Sequence, residues 1–306
     1  MPNTQQEIDS PFVLPSDGTS FTRNVIQRCE DMIGIGIWEG VDVNRFRCWT
    51  NNFVTETELY LSARLLDRLH YRSPLQTKAM MQHLFQSVLP VIQPSLGNSD
   101  ANHWIDRLSS KDDPGVRIVP VINQSDPPTK SGPLVCRLLK RMLGLNDRWM
   151  IWPEQIPREQ ENGIKHFFLV DDFLGTGFQF KKFFKRLGRI TGDSPPAYTY
   201  LSLTAYQRGV QTVQTKLPIG YAELLDDTHN LFGPTAKCFD DGINSRNSAI
   251  QFYLEMMAKK NIGLGDRMML GYSKLSLAYA FDHATPNSTL PIFWATSGDL
   301  HPLFTR

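Results

Sequence analysis

A continuous apolar run at residues 167–170 is the clearest hydrophobic pattern in the chain. Because helices cover both faces of a parallel sheet, such a short, unbroken run predicts a buried parallel strand. Two carboxylates, Asp171 and Asp172, follow the run, and a tight loop at residues 174–177 comes next. Beyond the loop, apolar residues recur at helical spacing, which predicts an amphipathic helix. They are Phe180, Phe183, Phe184, Leu187 and Ile190.

The same kinds of pattern predict further elements on both sides of this segment. Apolar residues at helical spacing, with caps and proline stops, predict helices over 55–71, 75–89, 134–142 and 206–214. Continuous or alternating apolar runs predict strands over 116–123, 198–205 and 221–225. We also expect a short strand around Ile151, and we expect Pro90 and Pro94 to end the second helix. This order of helices and strands predicts an α/β fold with a mostly parallel sheet.

Composition and charge narrow the class of protein without identifying it. The chain has 306 residues, 41% of them hydrophobic, which is ordinary for a globular protein with an ample core. The net charge is +1, so no global field favours nucleic acid or a membrane. No apolar stretch approaches the ~18–20 residues of a membrane span, and the polar N-terminus lacks a signal-peptide pattern. Four widely spaced cysteines fit reduced thiols, so we expect a cytoplasmic protein.

The acids and the glycine loop together predict a cradle for ribose 5-phosphate. Glycines let the backbone approach a ligand closely, and the N-terminus of the following helix offers N–H groups and partial positive charge to a phosphate. The Thr176 hydroxyl adds one more hydrogen-bonding group. The carboxylates of Asp171 and Asp172 come one step earlier, where they can accept from two ribose hydroxyls. The alternative is an ordinary strand–loop–helix turn with acids at the end of the strand.

The residues L-V-D-D-F-L-G-T-G-F at 169–178 resemble the ribose-phosphate motif of the phosphoribosyltransferases. The resemblance implies that Asp171 and Asp172, the candidate catalytic residues, bind the 2- and 3-hydroxyls of phosphoribosyl pyrophosphate. It also implies that the loop binds the 5-phosphate, through Leu174, Gly175, Thr176, Gly177 and Phe178. The family usually has Thr, Ala or Ser before the Thr-Gly pair. Gly175 therefore lacks a side-chain donor but keeps the backbone amide.

A second loop, at residues 124–133, is the candidate for binding pyrophosphate. In the phosphoribosyltransferases the loop after the first core strand has this role, so the resemblance implies it here for Lys130, Ser131 and Gly132. A cation and a second helix N-terminus would then face a second anion. The alternative is a proline-rich surface loop with a helix cap. The implied cofactor is Mg²⁺, held mainly by the ligand and by water.

Three further groups of residues have two interpretations each. Five basic side chains on the helix after the phosphate loop predict either a nucleic-acid face or, more simply, a solvated helix face: Lys181, Lys182, Lys185, Arg186 and Arg189. The acid pairs at 226–227 and 240–241 fit exposed loop acids better than a Mg²⁺ site. Among the C-terminal aromatic residues, His283 and Asn287 form a candidate base pocket, with a terminal strand that closes the core as the alternative.

Other segments extend the resemblance over nearly the whole chain. W-T-N-N-F at 49–53, H-A-T-P-N-S-T-L-P-I-F-W at 283–294 and P-L-F-T-R at 302–306 are similar to the phosphoribosyltransferase-like proteins of bacterial conflict systems, the PRTase-CE type. The Pro, Gly, Ser, Thr and Gln residues at 1–22 predict a flexible arm, and the helical patterns that follow predict a helical N-terminal extension at 23–95. The resemblance implies a phosphoribosyltransferase-like core with a C-terminal hood at 96–306.

This resemblance also implies a function and partners. It implies an effector of antiphage defence that binds phosphoribosyl pyrophosphate or a related ribose-5-phosphate ligand, and it leaves catalysis open. The alternative is a non-catalytic sensor of nucleotides or nucleic-acid ends, which acts in a complex with a protein partner such as an ATPase or a retron. Neither interpretation involves a membrane.

Overall fold

A computed structural model gives the fold and describes residues 10–96, 104–123, 126–127, 130–239, 241–296 and 299–306. Its α-helices are α1 Gly18–Gly34, α2 Val43–Thr50, α3 Glu56–Leu66, α4 Pro74–His83, α5 Leu89–Ile92, α6 Trp104–Ser109, α7 Ser131–Leu143, α8 Ile156–Glu161, α9 Phe178–Thr191, α10 Gln207–Gln214, α11 Arg246–Lys259 and α12 Asp266–Met269. Its strands are β1 His70–Arg72, β2 Val116–Pro120, β3 His166–Leu174, β4 Ala197–Tyr206, β5 Ile219–Leu225 and β6 Tyr279–Phe281. A π-helical turn spans Leu84–Val88, and 3₁₀ turns span Pro94–Leu96, Asp147–Trp149, Pro153–Gln155, Asp227–His229, Tyr272–Lys274 and Pro291–Phe293.

The chain divides into two compact units. The first unit combines the chain up to Pro74 with the segment Asp227–Arg306, and the second is the continuous segment Leu75–Asp226. Each unit has a hydrophobic core built from its own residues. Burial of apolar side chains therefore stabilises each unit separately.

Helices from both ends of the chain build the first unit. The side chains of Asp42 and Thr55 cap α2 and α3, accepting backbone N–H bonds at 2.9 and 3.1 Å. Strands β1 and β6 pair in parallel. The Trp49 indole N–H donates to the carbonyl oxygen of Ile292 at 2.7 Å. The strand pairing and the indole hydrogen bond join the N-terminal part of this unit to its C-terminal segment.

A parallel sheet in the order β2-β3-β4-β5 forms the centre of the second unit. The pairing places Val116 opposite His166 and Asp171 opposite Ser202. Every residue of β2 is buried, and so are all residues of β3 except the half-buried Phe173. Burial on both faces is what the continuous apolar run predicted. The carboxyl ends of these strands lie at one edge of the sheet.

Helices cover both faces of this sheet. On one face, the ring of Phe180 in α9 lies edge-on to Tyr200 of β4, with centroids 5.4 Å apart. On the other face, Trp104 of α6 lies edge-on to Phe168 of β3 at 5.2 Å. Tyr200 is paired with Leu169, so Tyr200 and Phe168 point to opposite faces because side chains alternate along a strand. The layers are helix, parallel sheet, helix.

The predicted α/β fold is confirmed, because parallel strands alternate with helices through the second unit. The strands predicted at 116–123, 198–205 and 221–225 correspond to β2, β4 and β5, and four of their six ends are shifted by one to three residues. Strand β3 continues through the acid pair to Leu174 instead of ending at the acids.

Two local predictions were wrong. Pro90 does not end the second predicted helix, because α4, the π-helical turn and α5 follow one another without a break. The proline lies in the first turn of α5, where a missing N–H is tolerated. The short strand expected around Ile151 is only an isolated bridge between Met150 and Ile118.

Three other observations bear on the predictions. All four cysteines are free thiols, and only Cys48 is exposed. No helix in the described part of the chain has both the length and the apolarity to cross a bilayer. Helix α1 begins at Gly18, within the segment predicted as an arm, while residues 1–9 of that segment lie outside the described residues.

Candidate functional site

Strand β3 carries the acid pair into the interior of the second unit. Asp171 and Asp172 are only 4% and 5% exposed. Although successive side chains of a strand alternate between its faces, the carboxyl groups of Asp171 and Asp172 are close enough to hydrogen-bond each other. Charged side chains are almost never buried this deeply unless a partner compensates them. Their surroundings therefore decide what they can do.

Three donors surround the carboxylate of Asp171. The Tyr200 hydroxyl donates to Oδ2 at 2.9 Å, and the Ser131 hydroxyl donates to Oδ1 at 3.2 Å. The backbone N–H of Asp172 donates to Oδ1 at 3.1 Å. Burial and the adjacent Asp172 charge nevertheless raise the pKa of Asp171 well above its ordinary value. A further cation or hydroxyl donor beside Asp171 would therefore stabilise the charged form of this carboxyl.

The carboxylate of Asp172 folds back on the backbone. Its Oδ1 accepts the N–H of Phe173 at 2.7 Å. This local bond helps to fix the direction of the side chain. The two acids thus offer acceptor oxygens in fixed positions, which is what two vicinal hydroxyls require.

The loop after β3 presents backbone N–H groups at the start of α9. Gly177 adopts φ +79°, a left-handed conformation that favours glycine, and it is the N-cap of α9. The backbone N–H groups of Gly175, Thr176 and Gly177 form no hydrogen bond with any described residue. Unsatisfied N–H groups at a helix N-terminus suit an anion. The loop can therefore hold a phosphate.

Helix α10 supports this loop from behind. A Cβ on Gly209 would overlap the carbonyl oxygen of Gly175, and a Cβ on Gly177 would lie 2.7 Å from Thr212 Cγ2. The Thr212 hydroxyl donates to the Arg208 carbonyl oxygen at 3.0 Å and also lies 3.4 Å from the carbonyl oxygen of Thr176. Helix α10 contacts the carbonyl side of the loop. It therefore holds the loop in a conformation whose N–H groups point away from α10.

The start of α7 reaches the acid pair from the neighbouring strand. A Cβ on Gly132 would lie 2.8 Å from the carbonyl oxygen of Val121, so glycine allows the first turn of α7 to pack against the end of β2. This packing places the Ser131 hydroxyl 3.2 Å from Asp171. Lys130 directly precedes the helix as its N-cap and is half-buried. The preceding residues 124, 125, 128 and 129 lie outside the described residues.

These parts form one arrangement at the carboxyl edge of the sheet. Two buried carboxylates supply acceptors, the loop before α9 supplies donors for one anion, and the start of α7 supplies a cation and N–H groups for a second. Ligands of open parallel sheets bind at this edge. The arrangement can hold a sugar diol that carries a phosphate on one side and an anionic group on the other.

Metal ligands are few in this arrangement. Among the described residues, no group of three or more His, Cys, Asp or Glu side chains is placed to hold a metal ion. Asp171 and Asp172 supply only two carboxylates. Such a pair fits Mg²⁺ only as a minor ligand to an ion that the substrate's phosphates and water hold.

Other predicted residues lie elsewhere. His283 and Asn287 belong to the first unit, where the His283 ring stacks on Phe281 at 4.8 Å and Asn287 accepts from Arg306. Asp240 lies outside the described residues. Arg186 does not add an uncompensated charge to the predicted basic face. Its guanidinium forms an ion pair with Glu154 and donates to the carbonyl oxygen of Ile122 at 2.9 Å.

Sequence reasoning missed Tyr200 and Gly209. Tyr200 is one of several apolar or aromatic residues in β4, and only the strand register shows that its hydroxyl reaches Asp171. Gly209 looked like an ordinary helix residue, and only its contact with Gly175 shows that glycine is required.

A parallel α/β sheet with an acidic pair, a glycine loop and two helix N-termini at its carboxyl edge defines a phosphoribosyltransferase-like protein. The profile of the PRTase-CE family matches residues 46–306, so the chain belongs to the PRTase-CE family. The resemblance to this type is thereby confirmed. A search of curated proteins finds no match.

Proposed function

We propose that the protein binds phosphoribosyl pyrophosphate, or a related ribose-5-phosphate ligand, at the edge formed by β3, α7 and α9. The observation that carries the proposal is the hydrogen bond from Ser131 to Asp171. It brings the predicted pyrophosphate loop to the predicted ribose site, although 40 residues separate the two in sequence. An ordinary strand–loop–helix turn does not need this convergence.

Each group has a role in this proposal. The carboxylates of Asp171 and Asp172 accept hydrogen bonds from the 2- and 3-hydroxyls and orient the ribose. Residues 174–178 hold the 5-phosphate through backbone N–H groups and the Thr176 hydroxyl. Lys130 and the N–H groups of residues 131–132 stabilise the charge on pyrophosphate as it leaves the anomeric carbon. Mg²⁺, held mainly by the ligand, supplies further neutralisation of that charge.

The wider role follows from the family resemblance. We propose an effector of bacterial antiphage defence that acts in the cytoplasm with a partner encoded nearby. Consumption of phosphoribosyl pyrophosphate with a nucleobase, measured as released pyrophosphate, separates a transferase from a sensor that binds without reacting. Release of pyrophosphate identifies the transferase, while binding without release identifies the sensor.

Calorimetry with phosphoribosyl pyrophosphate and Mg²⁺ tests the site. The double change Asp171→Asn and Asp172→Asn removes both charges with little change in shape, and we expect it to abolish measurable binding while the fold persists. Asp112→Asn with Asp193→Asn is the matched control, since both of these acids are exposed in the same unit. Equal affinities of the wild-type protein and the D171N/D172N variant reject the site.

A further inference from the structure

A basic groove lies between α9 and α10, beside the phosphate loop. Its volume is about 360 Å³, within the ~300–1,000 Å³ typical of ligand sites. Lys181, Lys185 and Lys216 line it, all three are exposed, and no carboxylate lines it. None of these lysines forms an ion pair with an acidic side chain in the part of the chain that the structure describes. The groove therefore attracts anions.

Aromatic and hydroxyl groups lie among these cations. Phe184 is half-buried in the lining, and its ring stacks on that of Phe180 at 5.3 Å. The hydroxyls of Thr212 and Thr215 line the groove as well. A cationic groove that tracks a phosphate backbone, with an aromatic face for bases, is how proteins bind single-stranded nucleic acid.

The groove begins beside the first turn of α9, next to the phosphate loop and on the side of the loop's carbonyl groups. The Lys181 N–H donates to the carbonyl oxygen of Gly177 at 2.9 Å, and Thr212 contacts both Thr176 and Gly177. Lys185 lies four residues further along α9, about 6 Å along the helix axis. A strand whose last phosphate lies on the N–H side of the loop therefore reaches the groove by passing over the first turn of α9.

The proposed site limits which nucleic-acid end fits. If the acids hold both the 2- and 3-hydroxyls, the nucleotide in the site can be joined to others only through its 5-phosphate. In a nucleic-acid strand, only the 3′-terminal ribonucleotide has a free cis-diol together with a phosphodiester on its 5′ oxygen. DNA lacks the 2′-hydroxyl that distinguishes RNA.

We propose that the site binds the 3′-terminal nucleotide of an RNA strand, with the preceding nucleotides in the groove lined by Lys181, Lys185 and Lys216. This inference rests on the proposed ribose-phosphate site and names its ligand class. The terminal diol lies on Asp171 and Asp172, the last phosphodiester lies in the loop, and the upstream phosphates meet the lysines. Recognition depends on the end of the strand and on its charge.

Fluorescence anisotropy with a 5′-labelled ten-nucleotide RNA tests this inference. We expect RNA with a free 3′-terminal diol to bind at least about tenfold more tightly than the same RNA ending in a 3′-phosphate or a 2′,3′-dideoxynucleotide, because those ends cannot donate both hydrogen bonds. Lys185→Gln with Lys216→Gln should weaken binding and reduce the slope of log K against log salt by about 1.4, at ~0.7 for each lost phosphate contact.

Matched controls separate the groove from general charge. Lys78→Gln with Lys165→Gln removes the same charge at exposed positions outside the groove, and we expect unchanged RNA affinity. Equal weakening by both pairs of changes overturns the proposal, as does equal affinity for all three RNA ends. Equally effective competition by a poly-glutamate peptide also overturns it, since the groove would then select charge alone.

Calorimetry with phosphoribosyl pyrophosphate distinguishes the two failures. Lys185 and Lys216 lie beyond the phosphate loop, so we expect the K185Q/K216Q variant to bind phosphoribosyl pyrophosphate as the wild-type protein does. If the wild-type protein binds phosphoribosyl pyrophosphate but no RNA, this inference fails and the proposed function stands. If it binds RNA regardless of the end and does not bind phosphoribosyl pyrophosphate, both fail.

Discussion

Asp171 is buried beside a second carboxylate, and both conditions disfavour its charge. The hydroxyls of Tyr200 and Ser131 donate to it, yet its pKa stays well above the ordinary value because burial dominates. A group that costs stability in this way is typical of a functional site, where the ligand supplies the compensation. The cost is measurable without knowing the ligand.

We predict that Asp171→Asn stabilises the folded protein at neutral pH. With a raised folded-state pKa, the stability from protonated Asp171 is fully present below the unfolded pKa of ~3.9 and is lost as pH rises through the folded pKa. The uncharged asparagine avoids that loss, so we expect the D171N variant to be the more stable protein at pH 7. Urea unfolding between pH 4 and pH 7 measures the difference, which should shrink towards pH 4.

Asp113→Asn is a control for which we expect the opposite change in folding stability. Arg117 hydrogen-bonds the Asp113 carboxylate and lowers its pKa, so the stability that it contributes is present at neutral pH and lost as pH falls. We expect this variant to be less stable than the wild type at pH 7. If D171N is destabilised at pH 7 to a similar extent, Asp171 has no raised pKa.

At the residue level, local chemistry could be predicted and distant partners could not. Asp171, Asp172 and the glycine loop are contiguous in the sequence, so the chemistry that they offer together could be predicted from it. Ser131 and Tyr200 meet Asp171 from 40 and 29 residues away. Those contacts depend on strand register and on how closely a helix start packs, which no local pattern specifies.

Among the elements, α9 and α10 determine the shape of the phosphate loop. Both helices contain an interior glycine, Gly188 in α9 and Gly209 in α10. Gly188 is exposed, and a Cβ there would meet nothing within 4 Å, whereas a Cβ on Gly209 would overlap the backbone of Gly175. The same residue type thus serves no visible purpose in one helix and permits a close contact in the other.

We predict that Gly209→Ala weakens ligand binding and that Gly188→Ala does not. The added methyl group of G209A pushes the Gly175 backbone and displaces the N–H groups that face the phosphate, so we expect affinity for phosphoribosyl pyrophosphate to fall by about tenfold or more. Gly188→Ala should stabilise α9 by ~0.5–1 kcal/mol, since alanine has the higher helix propensity. Calorimetry and thermal unfolding of both variants measure these effects.

A particular outcome contradicts this view of the loop. If G209A binds phosphoribosyl pyrophosphate as tightly as G188A does, then α10 does not position the Gly175 amide. Helical spacing predicted both helices, but it could not predict their difference. The contact of Gly209 with the loop depends on the packing of α10 beside α9, which is a tertiary property.

Across the whole molecule, the proposed binding residues lie in the second unit, apart from the candidate base pocket at His283 and Asn287. The second unit is one continuous segment, whereas the first joins both ends of the chain. Alternation of helices and strands predicted the sheet of the second unit. The pairing of β1 with β6 in the first unit involves two three-residue strands more than 200 residues apart, and such short strands give no usable periodicity.

We predict that phosphoribosyl pyrophosphate with Mg²⁺ slows amide hydrogen exchange most at residues 131–132 and 175–178. Those N–H groups become donors to the two anionic ends of the ligand, so their exchange requires ligand release. Inorganic phosphate should protect the 175–178 segment alone. Exchange measured by mass spectrometry that slows evenly along the chain, or only in the first unit, contradicts the assignment.

The most direct test of the account is a crystal structure of the protein with phosphoribosyl pyrophosphate and Mg²⁺. We predict 5-phosphate oxygens at hydrogen-bonding distance, ~2.7–3.2 Å, from the backbone N–H groups of residues 175–178. The 2- and 3-hydroxyls should contact the carboxylates of Asp171 and Asp172, with the pyrophosphate at residues 130–132. A ligand bound elsewhere, or one whose hydroxyls contact neither carboxylate, contradicts the account.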